Sequence, residues 1–413
     1  MLHPFNDTFD SIIDLENIRK AYLDLVLKFD KVSKSMRYRG VDGIKMSTLD
    51  FISEDILTSI RSEMIAGKKI SPAYMATIPK KNGKKRKIYV YSVKERIKAE
   101  AIYRVLWPIF DTYFSPYLFS YRSSHPSYYA AKSAVRRYKR FYGENHVLVT
   151  DISNYADTID HSILLKKLTE LGIDMKTLEL LELFIKTDTI ENGSLIRRPM
   201  GVLTGTPLYA ILSNFYMDEF DKWAGKKVAF YRRVGDDIIA MDKNEQRIRE
   251  VSDRLTETVR LLKLELNKDK ARLIKDTEEF KFLGYSFKNK KIGFDESSMN
   301  KALTSWKKSV GHKRNRSDAK KIRHVRSLSR FNSKKNIHDQ FDQLIKQKIL
   351  VDDTEQIKEF SERHFKVLTS FFKGSYSPKK RRVTKGLLSK TEVPSLFKSY
   401  IKIRYPKKHA ATS

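Results

Sequence analysis

Apolar residues recur at two different spacings along the chain, and each spacing predicts a different kind of element. Residues 8–35 and 50–66 carry apolar side chains three or four positions apart with charged residues between them, which is typical of amphipathic helices. Short runs rich in β-branched and aromatic residues, at 147–150, 229–234 and 238–241, predict strands. The chain is therefore expected to combine helices with short strands.

Acidic residues stand at the ends of these predicted strands. Asp151 follows the first strand, whereas Asp236 and Asp237 lie between the other two, where Gly235-Asp236 predicts a hairpin turn. If the strands are neighbours, the three carboxylates converge on one edge of a sheet. Hard divalent cations take oxygen ligands, and two Mg²⁺ ions about 4 Å apart can clamp the attacking and leaving oxygens of a phosphoryl transfer. A pair of Asp residues in a turn is by itself more often solvated, and the metal hypothesis therefore depends on the surrounding segments.

A second hairpin is predicted before this region, and it is basic. Short strands at 75–79 and 87–91 flank a turn centred on Asn82-Gly83, in which most of the other residues are Lys or Arg. Residues 92–114 predict a helix, strands and helices then alternate to Phe287, and the pattern is helical and basic from there to about residue 375.

Net charge indicates the kind of partner. The 413 residues carry a formal charge of +32, and residues 301–413 contribute 30 Lys and Arg against 9 Asp and Glu. Such an excess predicts an anionic partner, most often nucleic acid. The run Lys379-Lys380-Arg381-Arg382 is interpreted as a phosphate contact in preference to a nuclear localisation signal.

Several classes of protein are disfavoured by composition. The chain has no Cys, which excludes disulfides and thiolate zinc sites, and its nine His residues show no metal-ligand spacing. No apolar run approaches the roughly 20 residues that a membrane span needs. The N-terminus lacks the basic and apolar regions of a signal peptide, and we expect a cytoplasmic protein without a membrane partner.

Read in order, eight segments resemble the sequence blocks of a reverse transcriptase of the bacterial and group II intron type. Any one block is weak, but the collinear set from about residue 40 to residue 287 is specific. The blocks are Arg39–Gly43, Ile78–Ile88, Phe119–His125, Asp151–His161 (motif A), Gly201–Pro207 with Leu212–Asn214 (motif B), Arg233–Asp237 (motif C), Leu264–Lys270 (motif D) and Phe282–Tyr285 (primer grip).

The resemblance implies an α/β (α+β) right-hand polymerase with fingers, an antiparallel palm sheet with helices, and a basic helical thumb. The implied domains are an N-terminal helical extension with the start of the fingers (1–70), fingers and palm (71–287), and a thumb and C-terminal RNA-binding domain (288–413). It implies catalysis by Asp151, Asp236 and Asp237, with two Mg²⁺ ions, or Mn²⁺ in their place, held by these residues and Ile152.

The same resemblance assigns substrate contacts. It places Lys80, Arg86, Tyr155, Gly205 and Lys270 at the incoming dNTP, where the Tyr155 ring would exclude a ribose 2′ hydroxyl, although Tyr155 is equally compatible with a core aromatic. The template and primer contacts that it implies are Arg122, Gly201, Phe282, Leu283 and Gly284. The glycines allow close backbone approach, for which the alternative is an ordinary strand-to-helix turn.

Departures from the family pattern suggest a divergent lineage. Leu203-Thr204 stands where relatives have Pro-Gln, Val234 where they have an aromatic residue, and the block 119–125 lacks the usual Gly and Pro. No Cys/His zinc module, nuclease or retron-type element is found, and the chain most resembles the defence-associated bacterial reverse transcriptases.

Three functions follow as hypotheses. The first is an RNA-directed DNA polymerase that copies a cognate noncoding RNA into cDNA in anti-phage defence. The second is a group II intron-encoded reverse transcriptase and maturase, and the third is a non-catalytic RNA-binding maturase or chaperone. A clustered set of carboxylates facing RNA gives a pure RNA binder no advantage, which argues against the third. A homo-oligomer or a partner protein is left open.

Overall fold

The structure is a computed structural model that describes residues 5–30, 54–79, 85–267, 271–294 and 350–373, with the isolated positions 41, 296, 300, 303 and 304. The chain divides into two compact units, the first formed by Met1–Ala130 and His146–Leu273 and the second by Ala131–Asn145 and Ile274–Ser413. The domain boundaries implied by the family resemblance, at 70/71 and 287/288, stay predictions.

Unit 1 begins with helices that surround one long helix. They are α1 (Thr8–Ile13), α2 (Leu15–Asp30), α3 (Glu54–Ile65) and α4 (Val93–Tyr113). Asp14 takes an extended conformation (φ −58°, ψ 131°) and separates α1 from α2, so the single helix predicted over 8–35 is two. Ser92 caps α4, because its hydroxyl accepts a hydrogen bond from the Glu95 amide at 3.3 Å.

The basic hairpin is present as part of a four-stranded sheet. Its strands are β1 (Ala73–Pro79) and β2 (Lys85–Val90), which pair antiparallel with Ile78 opposite Arg86. The sheet order is β2-β1-β4-β5, in which β4 (Thr189–Glu191) runs parallel to β1 and β5 (Ser194–Ile196) is the edge strand.

A second sheet carries the predicted acidic positions. Strands β6 (Phe230–Val234), β7 (Asp237–Asp242) and β3 (His146–Asp151) are antiparallel neighbours in this order, and β8 (Arg272–Lys275) is the fourth strand. Most of the side chains of β3, β6 and β7 are buried, including five consecutive positions of β7. The helices that follow α4 along the chain are α5 (Ser127–Arg140), α6 (Tyr155–Thr158), α7 (His161–Glu170), α8 (Met175–Ile185), α9 (Leu208–Tyr216), α10 (Asp218–Lys227) and α11 (Glu245–Leu261).

Unit 2 contains an antiparallel meander whose last strand lies where helix was predicted. Strands β9 (Phe280–Phe282), β10 (Tyr285–Lys288) and β11 (Lys291–Phe294) pair in order, so the expectation of continuous helix after Phe287 is wrong for residues 288–294. Phe280 and Phe287 stack at 4.5 Å between ring centroids, and such aromatic packing stabilises strands that a sequence rich in Lys obscures. Helix α12 (Thr354–Lys373) follows, and the Gln356 side chain donates through Nε2 to the Phe294 carbonyl at 3.1 Å.

Candidate active site

The three predicted acidic residues lie at one edge of the second sheet. Asp151 is the last residue of β3, and its Cα lies directly opposite that of Asp237, the first residue of β7. Residues opposite each other in an antiparallel pair present their side chains on the same face of the sheet. Asp236 completes the group from the two-residue turn that joins β6 to β7, where Gly235 adopts a positive φ of +65°.

Backbone hydrogen bonds join motifs A, C and D around this edge. The Ile152 amide donates to the Asp236 carbonyl at 3.1 Å, and the Asn267 amide donates to the Asp151 carbonyl at 2.9 Å. The Ser153 amide donates to the Glu265 carbonyl at 2.8 Å. Segments that are distant in sequence therefore hold the main chain on both sides of the carboxylates.

The electrostatics of the edge favour a cation. Asp151 is buried and Asp237 is half-buried, and like charges directly opposite each other on a sheet are destabilising unless they are compensated. No group of three His, Asp or Glu side chains within the described ranges forms a ready metal site. Mg²⁺ is usually bound through one or two carboxylates, water and substrate phosphates, so this all-oxygen donor set fits the ion. The Ile152 side chain is apolar and buried, so the only atom that this residue offers as a metal ligand is its carbonyl oxygen.

Tyr155 lies in the core close to this edge. Its ring is buried, and its hydroxyl donates to the Ser213 carbonyl of α9 at 2.5 Å. Burial raises the pKa of the Tyr155 hydroxyl well above its usual value, so the side chain is neutral at physiological pH. Burial and the hydrogen bond to Ser213 hold the ring in place. The role of the ring at the nucleotide stays a prediction.

The two motif B glycines are required by the protein's own backbone. A Cβ on Gly205, where φ is +127°, would lie 2.1 Å from the Tyr89 carbonyl oxygen of β2. Gly201 has φ +97° and a Cβ there would lie 3.2 Å from the Asp157 carbonyl oxygen. His161 holds the Gly201 carbonyl through Nε2 at 2.9 Å, and burial lowers the pKa of this imidazole. The contacts with template and nucleotide that were predicted for these glycines stay predictions.

Arg122 is a buried side chain whose guanidinium is used inside unit 1. Nε donates to the Asp111 carboxylate at 2.6 Å, and Nη2 donates to the Asp111 carbonyl at 2.6 Å. Nη1 donates to the carbonyls of Ser115 at 2.7 Å and Leu118 at 3.2 Å. An Arg has five N–H donors, so at most one is left for the template contact that the sequence predicted.

The structure describes the remaining predicted residues only in part. Lys80 and Lys270 lie outside the described residues, and for Arg86 the structure gives the backbone position in β2. Phe282, Leu283 and Gly284 belong to unit 2, where Leu283 and Gly284 form the two-residue turn between β9 and β10 with φ values of +49° and +78°.

One polar network beside the turn was missed by the sequence reasoning. Arg233 and Asp221 form an ion pair in which both side chains are fully buried. The signal available in the sequence was Arg233 itself, because a charged residue inside an apolar strand needs a buried partner. Its partner on α10 is twelve positions away and follows no motif that sequence reasoning could use.

The arrangement of fingers hairpin, palm sheet and carboxylate edge defines a nucleic-acid polymerase of the right-hand class. The sequence profile described as reverse transcriptase (RNA-dependent DNA polymerase) matches residues 78–287, just over half of the chain. The chain belongs to this family and is an RNA-directed DNA polymerase. Reverse transcriptases generally use divalent metal ions, Mg²⁺ in most cases.

Several curated proteins are similar to the chain. Protein YkfC of Escherichia coli (strain K12) is 26% identical over 305 residues, which cover 64% of this chain and 79% of that protein. The group II intron-encoded protein LtrA of Lactococcus lactis subsp. cremoris is 27% identical over 52% of this chain and 36% of its own length. The putative COX1/OXI3 intron 1 protein of Saccharomyces cerevisiae is 25% identical, over 53% of this chain and 26% of that protein.

Solved telomerase structures are also similar. That from Candida albicans in complex with a TWJ fragment of telomeric RNA has a TM-score of 0.45 and 13% identity, over 80% of this chain and 68% of that one. Apo telomerase from Candida tropicalis has a TM-score of 0.45 and 12% identity, over 87% of this chain and 72% of that one.

Within the part of the chain that the structure describes, none of the helices has the length and apolar character that crossing a membrane requires.

Proposed function

We propose that the chain synthesises cDNA by two-metal nucleotidyl transfer at the Asp151–Asp236–Asp237 edge, on a dedicated noncoding RNA in bacterial anti-phage defence. The observation that carries the catalytic part is the pairing of Asp151 with Asp237 across β3 and β7, with Asp236 in the adjoining turn. Its test is extension of a DNA primer on an RNA template with dNTPs and Mg²⁺. Absence of incorporation by the folded protein would contradict the proposal.

Each carboxylate has a stated task in this proposal. Asp151 and Asp236 would hold the two ions, with Asp237 beside them, and the Ile152 carbonyl would add a further oxygen ligand. When bound, Mg²⁺ lowers the pKa of the primer 3′ hydroxyl and neutralises charge on the leaving pyrophosphate. Mn²⁺ is able to supply the same chemistry in place of Mg²⁺. The protein keeps these oxygens in place through the backbone bonds that join motifs A, C and D.

The nucleotide is positioned from the fingers side. Arg86 lies on β2, and Lys80 follows β1 in the sequence. Arg offers a planar fork to phosphate oxygens, whereas Lys offers a point charge. Lys270 of motif D is a further proposed triphosphate contact, and Gly205 lies in the loop that passes against β2. The template and primer are proposed to contact Gly201, Arg122 through its remaining donor, and the turn Phe282-Leu283-Gly284.

Group II intron mobility is the second candidate, favoured by the similarity to LtrA and to the yeast intron protein. Sequencing the RNA and DNA that copurify with the tagged protein from its own host separates the two. A single small RNA with complementary cDNA supports the noncoding-RNA proposal. Enrichment of intron ribozyme sequence supports the intron function, and unselected RNA without cDNA contradicts both.

Sugar selection supplies the first prediction. Replacing Tyr155 by Val removes the ring that is proposed to exclude a 2′ hydroxyl, and we expect the preference for dNTP over the matching rNTP to fall by about tenfold or more. The Tyr155→Phe variant is the matched control, because it keeps the ring and loses only the bond to the Ser213 carbonyl. The measurement is the ratio of kcat/KM for the two nucleotides on one primed template. An unchanged ratio in the Val variant would show that the ring acts only in the core.

Salt dependence of RNA binding supplies the second prediction. A single-stranded RNA contact releases about 0.7 counterion per neutralised phosphate, so the full chain should show a log Kd against log salt slope of several units. Replacing Lys379, Lys380, Arg381 and Arg382 by Gln should reduce that slope by up to about three units. Fluorescence anisotropy at several salt concentrations measures it, with Lys166→Gln on α7 as the control for an ordinary exposed charge. An equal slope in the fourfold variant would contradict the phosphate-contact role of this run.

A further inference from the structure

The turn Gly235-Asp236 is hydrogen-bonded to a buried ion pair that has no role in the polymerisation chemistry. Arg233 lies on β6 two residues before Gly235, and Asp221 lies on α10. Arg233 Nε donates to both carboxylate oxygens of Asp221, at 2.8 Å and 3.0 Å, and Nη2 donates to Oδ2 at 2.6 Å. The Tyr231 hydroxyl donates to the same carboxylate at 2.7 Å, so the negative charge is fully compensated within the core.

The rest of the guanidinium reaches out of this pair to the turn. Nη1 donates to the Gly235 carbonyl at 3.0 Å, and Nη2 donates to the Asn214 carbonyl of α9 at 3.0 Å. The Gly235 carbonyl belongs to the peptide group between Gly235 and Asp236. One planar side chain therefore connects α10, α9 and the turn, which a Lys could not do because its ammonium is a single point.

The turn is held from its other side as well. The Ser120 hydroxyl accepts a hydrogen bond from the Gly235 amide, and the Ser120 carbonyl accepts one from the Asn214 side chain at 2.9 Å. The peptide group on the C-terminal side of Asp236 also has a partner, because the Asp236 carbonyl accepts a hydrogen bond from the Ile152 amide. Both peptide groups that flank Asp236 thus have fixed partners, and the exposed carboxylate extends from a rigid base.

We infer that Arg233, anchored by Asp221 and assisted by Ser120, is a positioning residue that sets where the Asp236 carboxylate meets the metal ions; this inference rests on the proposed function. Replacing a buried ion pair by apolar residues is often neutral for stability, so the pair is not explained by its contribution to the fold alone. A requirement to orient Asp236 explains the specific geometry of the pair. Replacing residues that orient metal ligands typically lowers metal affinity or activity by 10–100-fold.

Arg233→Lys is the first test, because Lys keeps the charge opposite Asp221 and loses the simultaneous bond to Gly235. We expect Tm to fall, because the Gly235 and Asn214 carbonyls lose a donor. In the folded variant the Kd for primed RNA should stay near the wild-type value, while kcat falls by about 10–100-fold at an unchanged KM for dNTP. The Kd for Mn²⁺, measured by electron paramagnetic resonance without dNTP, should rise by about tenfold or more. Arg232→Lys is the matched control: its guanidinium lies over the Phe230 ring at 4.6 Å and donates to the Tyr231 carbonyl.

Two further variants keep the inference open to refutation if Arg233→Lys does not fold. The triple variant Asp221→Leu, Tyr231→Phe, Arg233→Met removes the whole polar network at once, and Ser120→Ala removes only the acceptor of the Gly235 amide. Any folded variant of this set with wild-type kcat and wild-type Mn²⁺ affinity overturns the inference. If the wild-type protein itself shows no incorporation, the proposed function fails, and the Mn²⁺ titration of the same variants still decides the positioning role.

Discussion

Replacing Asp236 by Ala is expected to lower kcat for dNTP incorporation by at least about 10³-fold, because a metal ion contributes several kcal/mol of transition-state stabilisation. The fold should be retained, since Asp236 is exposed in a turn and its replacement removes no side chain from the buried core. RNA binding should also be retained, because the positive charge that drives it lies mainly in residues 301–413.

The measurement is single-nucleotide incorporation on a primed RNA template, with Tm and RNA affinity recorded for the same preparations. Asp253→Asn on the exposed face of α11 is the matched control, because it removes one carboxylate of the same unit away from the edge. Near wild-type polymerisation by Asp236→Ala, with Asp253→Asn also active, would remove the basis for the proposed active site.

Gly205→Ala is expected to cause a large loss of stability, because the atom that the new methyl group would meet belongs to the backbone. Its φ of +127° is a conformation that side chains rarely adopt, and the added Cβ would lie 2.1 Å from the Tyr89 carbonyl oxygen. Strain and overpacking each cost roughly 1–3 kcal/mol, so the free energy of unfolding should fall by about 3–5 kcal/mol. The motif B loop would also have to move away from β2, and we expect kcat/KM for dNTP to fall with it.

Gly67→Ala is the control that separates the two causes. Gly67 also has a positive φ, +60°, but a Cβ there meets nothing within 4 Å, so only the conformational cost of about 1–2 kcal/mol remains. Chemical denaturation of both variants and the wild type gives the comparison. Equal losses for Gly205→Ala and Gly67→Ala would mean that the close approach to Tyr89 is relieved at no cost.

The local pattern of the sequence was enough to predict the elements that carry the chemistry. Runs of β-branched residues predicted β3, β6 and β7, and Gly235-Asp236 predicted the turn between them, because strand formation and a two-residue turn depend on neighbouring residues. The same reasoning predicted the hairpin of β1 and β2 and the helix α4. The order of the motifs then indicated the family, which the sequence profile confirmed.

Tertiary structure decided which polar residues are partners, since such pairing depends on residues far apart in the chain. The sequence assigned Arg122 to the template and attached no role to Arg233, whereas the structure buries both and satisfies them with carbonyls and carboxylates of other segments. The strand β11, in a region predicted to be helical, is also stabilised from outside itself, by its ladder with β10. The sequence by itself determined the carboxylates and the strands that bring them to one edge; only the folded chain decided what holds them still, because a buried charge takes its partner from whatever the fold places beside it.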